Sequence, residues 1–311
     1  MFPGALRNQP TVTRGSLLSP YPQYLQVNAY QVTEGYSRYH AGVFEWEKRV
    51  SHGWGGRVSY TYSQLKDNLW AEGNFYAAVS PALPINNYNY LASAPACASG
   101  QQFTTACYDP TSEFGYSILD VPHRVIVAPI VELPFGQNKK WANGRVADLL
   151  VGGWTISAAM NFQSGFPLNV QQNADSSLGG ANANRPNFSG QPLATSGDYA
   201  DRLASADHPT ATWISPAAFT IAPAGTFGNV PRTITDLRTP PQYNTDAVFI
   251  KNFRLAGTHT AQLKIELLNL FNRVNVRAIQ GANNVSSGNF GQTNTQAGFM
   301  RITQFMFRYS F

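Results

Sequence analysis

Apolar and polar residues alternate with a period of two in run after run along this chain, the spacing that sends successive side chains to opposite faces of a strand. The clearest run closes the sequence: Phe305, Phe307, Tyr309 and Phe311 fall on one face, and Gln304, Met306, Arg308 and Ser310 on the other. Before it, Ala261, Leu263, Ile265 and Leu267 oppose Gln262, Lys264 and Glu266. Trp154, Ile156, Ala158, Met160 and Phe162 oppose Thr155, Ser157, Ala159, Asn161 and Gln163. Val58, Tyr60 and Tyr62 oppose Arg57, Ser59, Thr61 and Ser63. Weaker alternation covers 37–49, 123–133 and 246–255. The pattern predicts seven strands, with 24–32 as a candidate eighth.

Alternation alone fits two architectures. A soluble sandwich buries its apolar face, whereas a membrane barrel turns that face to lipid. The connections separate the two. Those after residues 49, 133 and 255 are short or medium, and those over about 64–122, 165–245 and 273–298 are long. Short turns at one end and long loops at the other are the pattern of an outer-membrane barrel. A sandwich has no reason for such parity, and structureless loops of that length are uncommon in a compact soluble domain. With Phe311 on the periplasmic side, the short connections fall in the periplasm and the long ones outside. A link at 33–36 to the candidate eighth strand breaks the parity. Runs of about nine to eleven residues suit tilted membrane strands. Tyr60, Tyr62, Trp154, Phe162, Tyr309 and Phe311 gather near strand ends, as interfacial girdles do. The fold is read as all-β: an antiparallel, up-and-down transmembrane β-barrel segment of about seven or eight strands, a partial barrel with long extracellular loops. Residues 1–36 lead into it and 37–311 form it.

Composition narrows the function. Charged residues make up 13% of the chain and aromatics another 13%, with 26 Gly and 20 Pro. That aromatic content argues against disorder, and six lysines in 311 residues argue against a helical bundle. No run of 18 apolar residues exists to make a membrane helix. The net charge of +5 carries no basic cluster beyond Lys139 and Lys140, so a nucleic acid is not expected as a partner.

Candidate chemistry is sparse. The five histidines are scattered without metal-ligand spacing, and no nucleophile elbow or phosphate-binding loop occurs. Neither enzyme activity nor a metal or other cofactor is expected. Asp175 near Asn173, and Asp207 beside His208, read as solvated loop residues. Cys97 and Cys107 lie ten apart in a polar stretch; a disulfide there suits an oxidising compartment, two unpaired thiols being the alternative. Lys264, Glu266 and Arg308 sit on polar strand faces and would be costly against lipid, so they are expected to face the lumen. Structural pairing is the simplest role for them, and a ligand path the alternative. The aromatic terminal strand, with Phe305, Phe307, Tyr309 and Phe311, presents an edge able to add to another sheet.

Several runs resemble the C-terminal β-barrel of TonB-dependent outer-membrane receptors, the Oar-like group in particular. They are Tyr60-Thr61-Tyr62-Ser63, Asp120-Val121-Pro122-His123-Arg124, Glu132-Leu133-Pro134-Phe135-Gly136, Gly152-Gly153-Trp154 and Gln163-Ser164-Gly165-Phe166-Pro167. Glu266 to Arg273 and Arg301 to Phe311 complete the set. The resemblance spans about 20–311 and implies outer-membrane localisation and energised uptake of an unidentified ligand. It implies contact with the barrel assembly machinery through Tyr309 and Phe311, and with the TonB system through an N-terminal part not seen here. No signal peptide follows Met1, and no plug precedes the barrel, so the chain reads as a C-terminal fragment or a late-begun reading frame. The alternatives are a self-contained eight-stranded barrel with adhesive loops, and a soluble carbohydrate-binding sandwich.

Deleting Phe311 from the full-length protein is expected to lower its level in the outer membrane, measured by fractionation and immunoblot. Undiminished levels would remove the terminal strand as an assembly signal.

Overall fold

The computed structural model describes residues 10–11, 36–67, 114–136, 139–142, 144–173, 185–224, 226, 228–254, 259–276, 283–293 and 296–311. β1 (Ser37–Ser51) and β2 (Trp54–Asp67) form a long hairpin. β3 (Gly115–Tyr116) adds to the end of β2, and β4 (His123–Glu132) pairs along its length. After the short helix α1 (Arg145–Val151), β5 (Trp154–Gln163) returns beside β4. A long excursion follows. It carries β6 (Pro167–Leu168), β7 (Asn187–Phe188), β8 (Phe219–Thr220) and β9 (Ile234–Arg238). β10 (Gln242–Arg254) re-enters the sheet next to β5, and β11 (Thr260–Leu268) follows. β12 (Asn275–Val276) and β13 (Gln296–Ala297) precede β14 (Ile302–Ser310), the last strand.

The main sheet runs β1-β2-β4-β5-β10-β11-β14, every pair antiparallel. These are the seven strands that the alternation predicts, each beside its neighbour along the chain. One edge of β1 and one of β14 carry no strand among the described residues. The candidate strand at 24–32 lies outside the described residues, as do the expected turn at 256–258 and both cysteines.

Cross-strand register joins the separate alternations into two continuous faces. One row reads Trp54, Val131, Ile156, Phe249, Ile265 and Phe305 from β2 across to β14. A second reads Phe44, Tyr60, Val125, Phe162 and Tyr243. The opposite face carries Glu45, Ser59, Ile126, Asn161 and Asn244 in one row. Another polar row sets Glu266 beside Gln304. Phe44, Phe305 and Phe307 are 61%, 70% and 68% exposed, so no second protein layer covers the apolar face as a sandwich would. Aromatics of that face collect at its two ends. Trp46, Trp54, Trp154, Phe253 and Tyr309 lie near the short turns, and Tyr60, Tyr62, Phe162 and Tyr243 near the long loops. No helix among the described residues is long and apolar enough to cross a membrane.

The turn between β1 and β2 is tight because His52 and Gly53 both adopt positive φ, 54° and 80°. That pair of conformations matches the right-handed twist of a hairpin.

The excursion between β5 and β10 departs from the sequence expectation of a long polar loop. It folds into a cap with its own core. Leu168, Val170, Ile214, Val230, Ile234 and Leu237 are buried together, and Phe290 joins them from the last long connection. Short pairings β6–β9 and β7–β8 frame the cap, and Trp213 donates its N–H to Gly291 O at 2.7 Å. The buried apolar cluster therefore sits beyond the sheet's loop end, while much of the sheet stands without a second layer over either face.

Ile214 is fully buried. Ile214→Ala is expected to destabilise the cap by about 2–5 kcal/mol. Amide exchange should accelerate across 185–240 while β2 and β4 keep their protection.

Candidate functional site

The cap meets the sheet through two ion pairs at the loop end, one buried and one half-buried. Asp67 ends β2 and accepts from Arg232 Nη2 at 2.7 Å, with the two side chains 10% and 3% exposed. Arg232 also donates to the Asp67, Tyr116 and Gly115 carbonyls, so its guanidinium caps the backbone where β2 and β3 meet. The second pair joins Asp120, just before β4, to Arg238, at the end of β9. Arg238 Nη2 donates to Asp120 Oδ2 at 2.7 Å, and its Nη1 donates to the carbonyls of Asp120 and Gly165 at 3.1 and 3.2 Å. The Asp120 side chain has no exposure, and its Oδ1 accepts the Leu65 N–H at 2.7 Å. One carboxylate thus ties β2, the approach to β4 and the cap together.

Neighbouring contacts extend this latch. Ser63 Oγ donates to Val121 O at 2.7 Å. Phe166 N–H donates to Thr239 Oγ1 at 2.9 Å, and Thr239 N–H returns to Phe166 O at 2.8 Å. Gly165 is required here: a Cβ on it would stand 1.7 Å from Thr239 O. The third long connection is pinned by asparagines. Asn269 and Asn272 hold positive φ of 52° and 50°, which asparagine tolerates better than most residues. Asn269 donates to the Arg273 and Phe299 carbonyls at 3.0 and 3.1 Å, and its own N–H reaches Asp246 Oδ1 at 2.8 Å. Arg273 then lies 4.2 Å over the Tyr243 ring.

Between cap and rim runs an open groove of about 650 Å³. Lys66, Tyr116, Phe188, Gln191, Leu193 and Asp236 are among its lining residues. The lining mixes aromatic faces, an amide and both signs of charge, which suits adaptable polar contacts better than bond-making chemistry.

The residues singled out from sequence are distributed as follows. Phe305 and Phe307 stand on the apolar face beside Ile265 and Leu263. Tyr309 stacks on His259 and shares a hydrogen bond with its Nδ1 at 2.7 Å. Phe311 lies just past β14 and is 91% exposed. Lys264 and Glu266 form an ion pair with each other, and Arg308 sits opposite Gln262 on that same polar face. His208 faces Asp201 at 3.6 Å. Among the described residues no group of His, Cys, Asp and Glu is placed to hold a metal ion. Cys97 and Cys107 lie outside the described residues, as does Asp175.

Sequence reasoning placed Asp120-Val121-Pro122-His123-Arg124 in a familiar run but gave Asp120 no role, and it did not name Arg232 or Arg238. Their partners lie more than a hundred residues away in the chain.

A two-faced antiparallel sheet with apolar residues open to the outside and loops gathered at one end is a membrane-barrel wall. A family model described as an outer membrane beta barrel domain matches residues 3–304. The chain belongs to that family. No curated protein and no solved structure matches it. In an outer-membrane barrel the apolar face of this sheet meets hydrocarbon, and the two aromatic bands fall at the membrane interfaces.

Arg232→Ala would leave the Asp67 carboxylate buried without its cation. The expected cost is about 3–5 kcal/mol. It should appear as faster proteolytic cleavage within 228–241, and Arg232→Lys, which keeps charge but loses the planar fork, should be intermediate.

Proposed function

We propose that this outer-membrane barrel domain is the C-terminal sector of a TonB-dependent receptor that takes up a ligand from outside the cell. The observation that carries the reading is a sheet whose two edges carry no strand among the described residues. In hydrocarbon every backbone N–H and C=O must be paired, so a membrane wall closes on itself. Among the described residues the first and last of the seven long strands do not pair with each other, which supports a sector of a larger wall. A barrel large enough to need such a sector encloses a lumen wider than side chains can fill, as plugged transporters do.

The strand-end runs give further support. Asp120-Val121-Pro122-His123-Arg124, Gln163-Ser164-Gly165-Phe166-Pro167 and Leu268-Asn269-Leu270-Phe271-Asn272-Arg273 resemble the Oar-like receptors, and each contributes to the latch or to the asparagine-pinned loop. The cap then stands at the outer mouth, where its groove offers a first contact for a ligand. The polar face, with the Lys264–Glu266 pair and Arg308, lines the lumen in this reading.

The test compares strains lacking this gene, lacking TonB, or lacking both, across panels of iron chelates, cobalamins, glycans and peptides as nutrient sources. A growth defect on one source is expected in both single deletions, with no further loss in the double. A defect that deepens in the double deletion would overturn energised uptake. A heat-modifiable gel band from the 311-residue chain alone, with β1 cross-linked to β14, would instead establish a small closed barrel.

A further inference from the structure

The turn end of the sheet carries a second built feature, distinct from the loop-end latch. Lys251 lies on the apolar face of β10, directly beside Trp154 and Leu263. A lysine on the hydrocarbon side of a barrel is costly, yet here it is only 4% exposed. Its cover is α1. Lys251 Nζ donates to Gly152 O at 2.5 Å and to Asp148 O at 3.4 Å, carbonyls at the C-terminal end of that helix. Its ammonium also lies 5.0 Å from the Phe253 ring centre and 5.5 Å from that of Trp154. Trp154 Nε1 donates to Leu150 O at 3.3 Å, a second tie between the helix and this face. The helix is therefore fastened to the outside of the wall, over the end of its lipid-facing surface.

The glycines at this corner are needed for that approach. A Cβ on Gly152 would stand 2.2 Å from Asp148 Oδ1, and one on Gly136, which has a φ of 109°, would stand 2.3 Å from the same oxygen. With Asp148 turned inward, the opposite side of α1 carries Val146, Leu149 and Leu150, at the i, i+3, i+4 spacing of one helical stripe. These three are 72%, 59% and 67% exposed. Trp141 precedes them, half exposed, with Lys140 Nζ 5.0 Å from its ring centre. Lys139 is anchored on Glu132 at 3.2 Å.

We infer that α1 and the segment before it form a lipid-binding foot at the periplasmic rim, with Val146, Leu149 and Leu150 dipping into the inner leaflet and Lys139 and Lys140 meeting anionic phospholipid headgroups. Continuity decides the occupant. The apolar stripe prolongs a surface that already meets hydrocarbon, and Trp154 stands in the aromatic band at its turn end. Two adjacent lysines, Lys139 and Lys140, come just before it in the chain, and cations beside an apolar stripe suit an anionic membrane surface. The inference rests on the outer-membrane barrel fold and is independent of what ligand, if any, the barrel transports.

The test places a polarity-sensitive fluorophore at Leu149→Cys in a Cys97→Ser, Cys107→Ser background. The full chain is read in the fraction that floats with phosphatidylethanolamine and phosphatidylglycerol vesicles. Phe305→Cys on the apolar face and Ser59→Cys on the polar face supply the lipid and water references. Emission at position 149 is expected to be blue-shifted and quenched by brominated acyl chains like that of the Phe305 probe. Emission and quenching matching the Ser59 probe would overturn the foot. Brominated phosphatidylglycerol should quench the Leu149 probe more than brominated phosphatidylethanolamine at equal mole fraction. That preference should vanish in the Lys139→Gln, Lys140→Gln variant. Equal quenching by the two lipids with both lysines present would overturn the anionic headgroup contact.

Discussion

Backbone hydrogen bonding in a medium without water is the constraint on which everything else here depends. Hydrocarbon offers no partner to a stray N–H or C=O, and each one left over costs several kcal/mol. The chain therefore crosses as antiparallel strands whose ladders are continuous from β1 to β14. Once the ladder is fixed, side chains have no freedom of face. The period of two sends Phe249 and Ile265 one way and Ile250 and Lys264 the other, and the register carries each row across five or six strands. A slip of one residue anywhere would turn a polar row into lipid, so register is specified as tightly here as in a buried core.

That constraint also explains what could be read in advance and what could not. Seven strands and their two faces were legible because alternation is local and each strand is long enough to show several periods. Ends were less legible: β10 begins at Gln242, four residues before the alternation at Asp246 to Leu255 becomes visible, because Tyr243 and Thr245 continue the face while Gln242 and Asn244 resemble loop. The cap was not legible at all. Its core draws Leu168, Val170, Ile214, Val230, Leu237 and Phe290 from stretches far apart, with no period to join them. A polar, glycine-rich and asparagine-rich segment looks like a solvated loop when only a few of its residues turn inward. The two latch arginines were invisible for the same reason, since an ion pair over more than a hundred residues leaves no trace in any window.

Three of the runs that suggested a receptor family, at 120–124, 163–167 and 266–273, share a physical job. Each marks a place where a strand meets a long connection that must be held. Asp120 does this with a carboxylate accepting from β2 and from the cap, Gly165 by leaving room for Thr239 O, and Asn269 and Asn272 by accepting a left-handed backbone that their side chains then stabilise. Buried ion pairs are seldom the most stabilising choice at a given site. At the loop end they have another merit. An apolar contact tolerates sliding, whereas the Asp67–Arg232 and Asp120–Arg238 pairs are satisfied in one register only. A cap that must stand over an open mouth, without a second layer beneath it, needs that definition more than it needs added burial.

The turn end solves the converse problem. There the connections are short, and the difficulty is a single residue, Lys251, that breaks the apolar series Ala247, Phe249, Phe253. The break was visible in the sequence as a weak alternation; its meaning was not, because the answer lies in α1, about a hundred residues earlier. A lysine on the lipid face can be reconciled with hydrocarbon only if acceptors come to it. The C-terminal end of a helix is well suited, since it carries the negative pole and Gly152 O, just past the last turn, is free to accept from outside the helix. Bringing it there obliges the helix to lie on the outside of the wall, and lying there obliges its other side to be apolar. Val146, Leu149 and Leu150 supply that side. One lysine in the wrong row thus accounts for the helix, for the glycines that let it close in, and for a hydrophobic stripe that would have no purpose on a surface facing water.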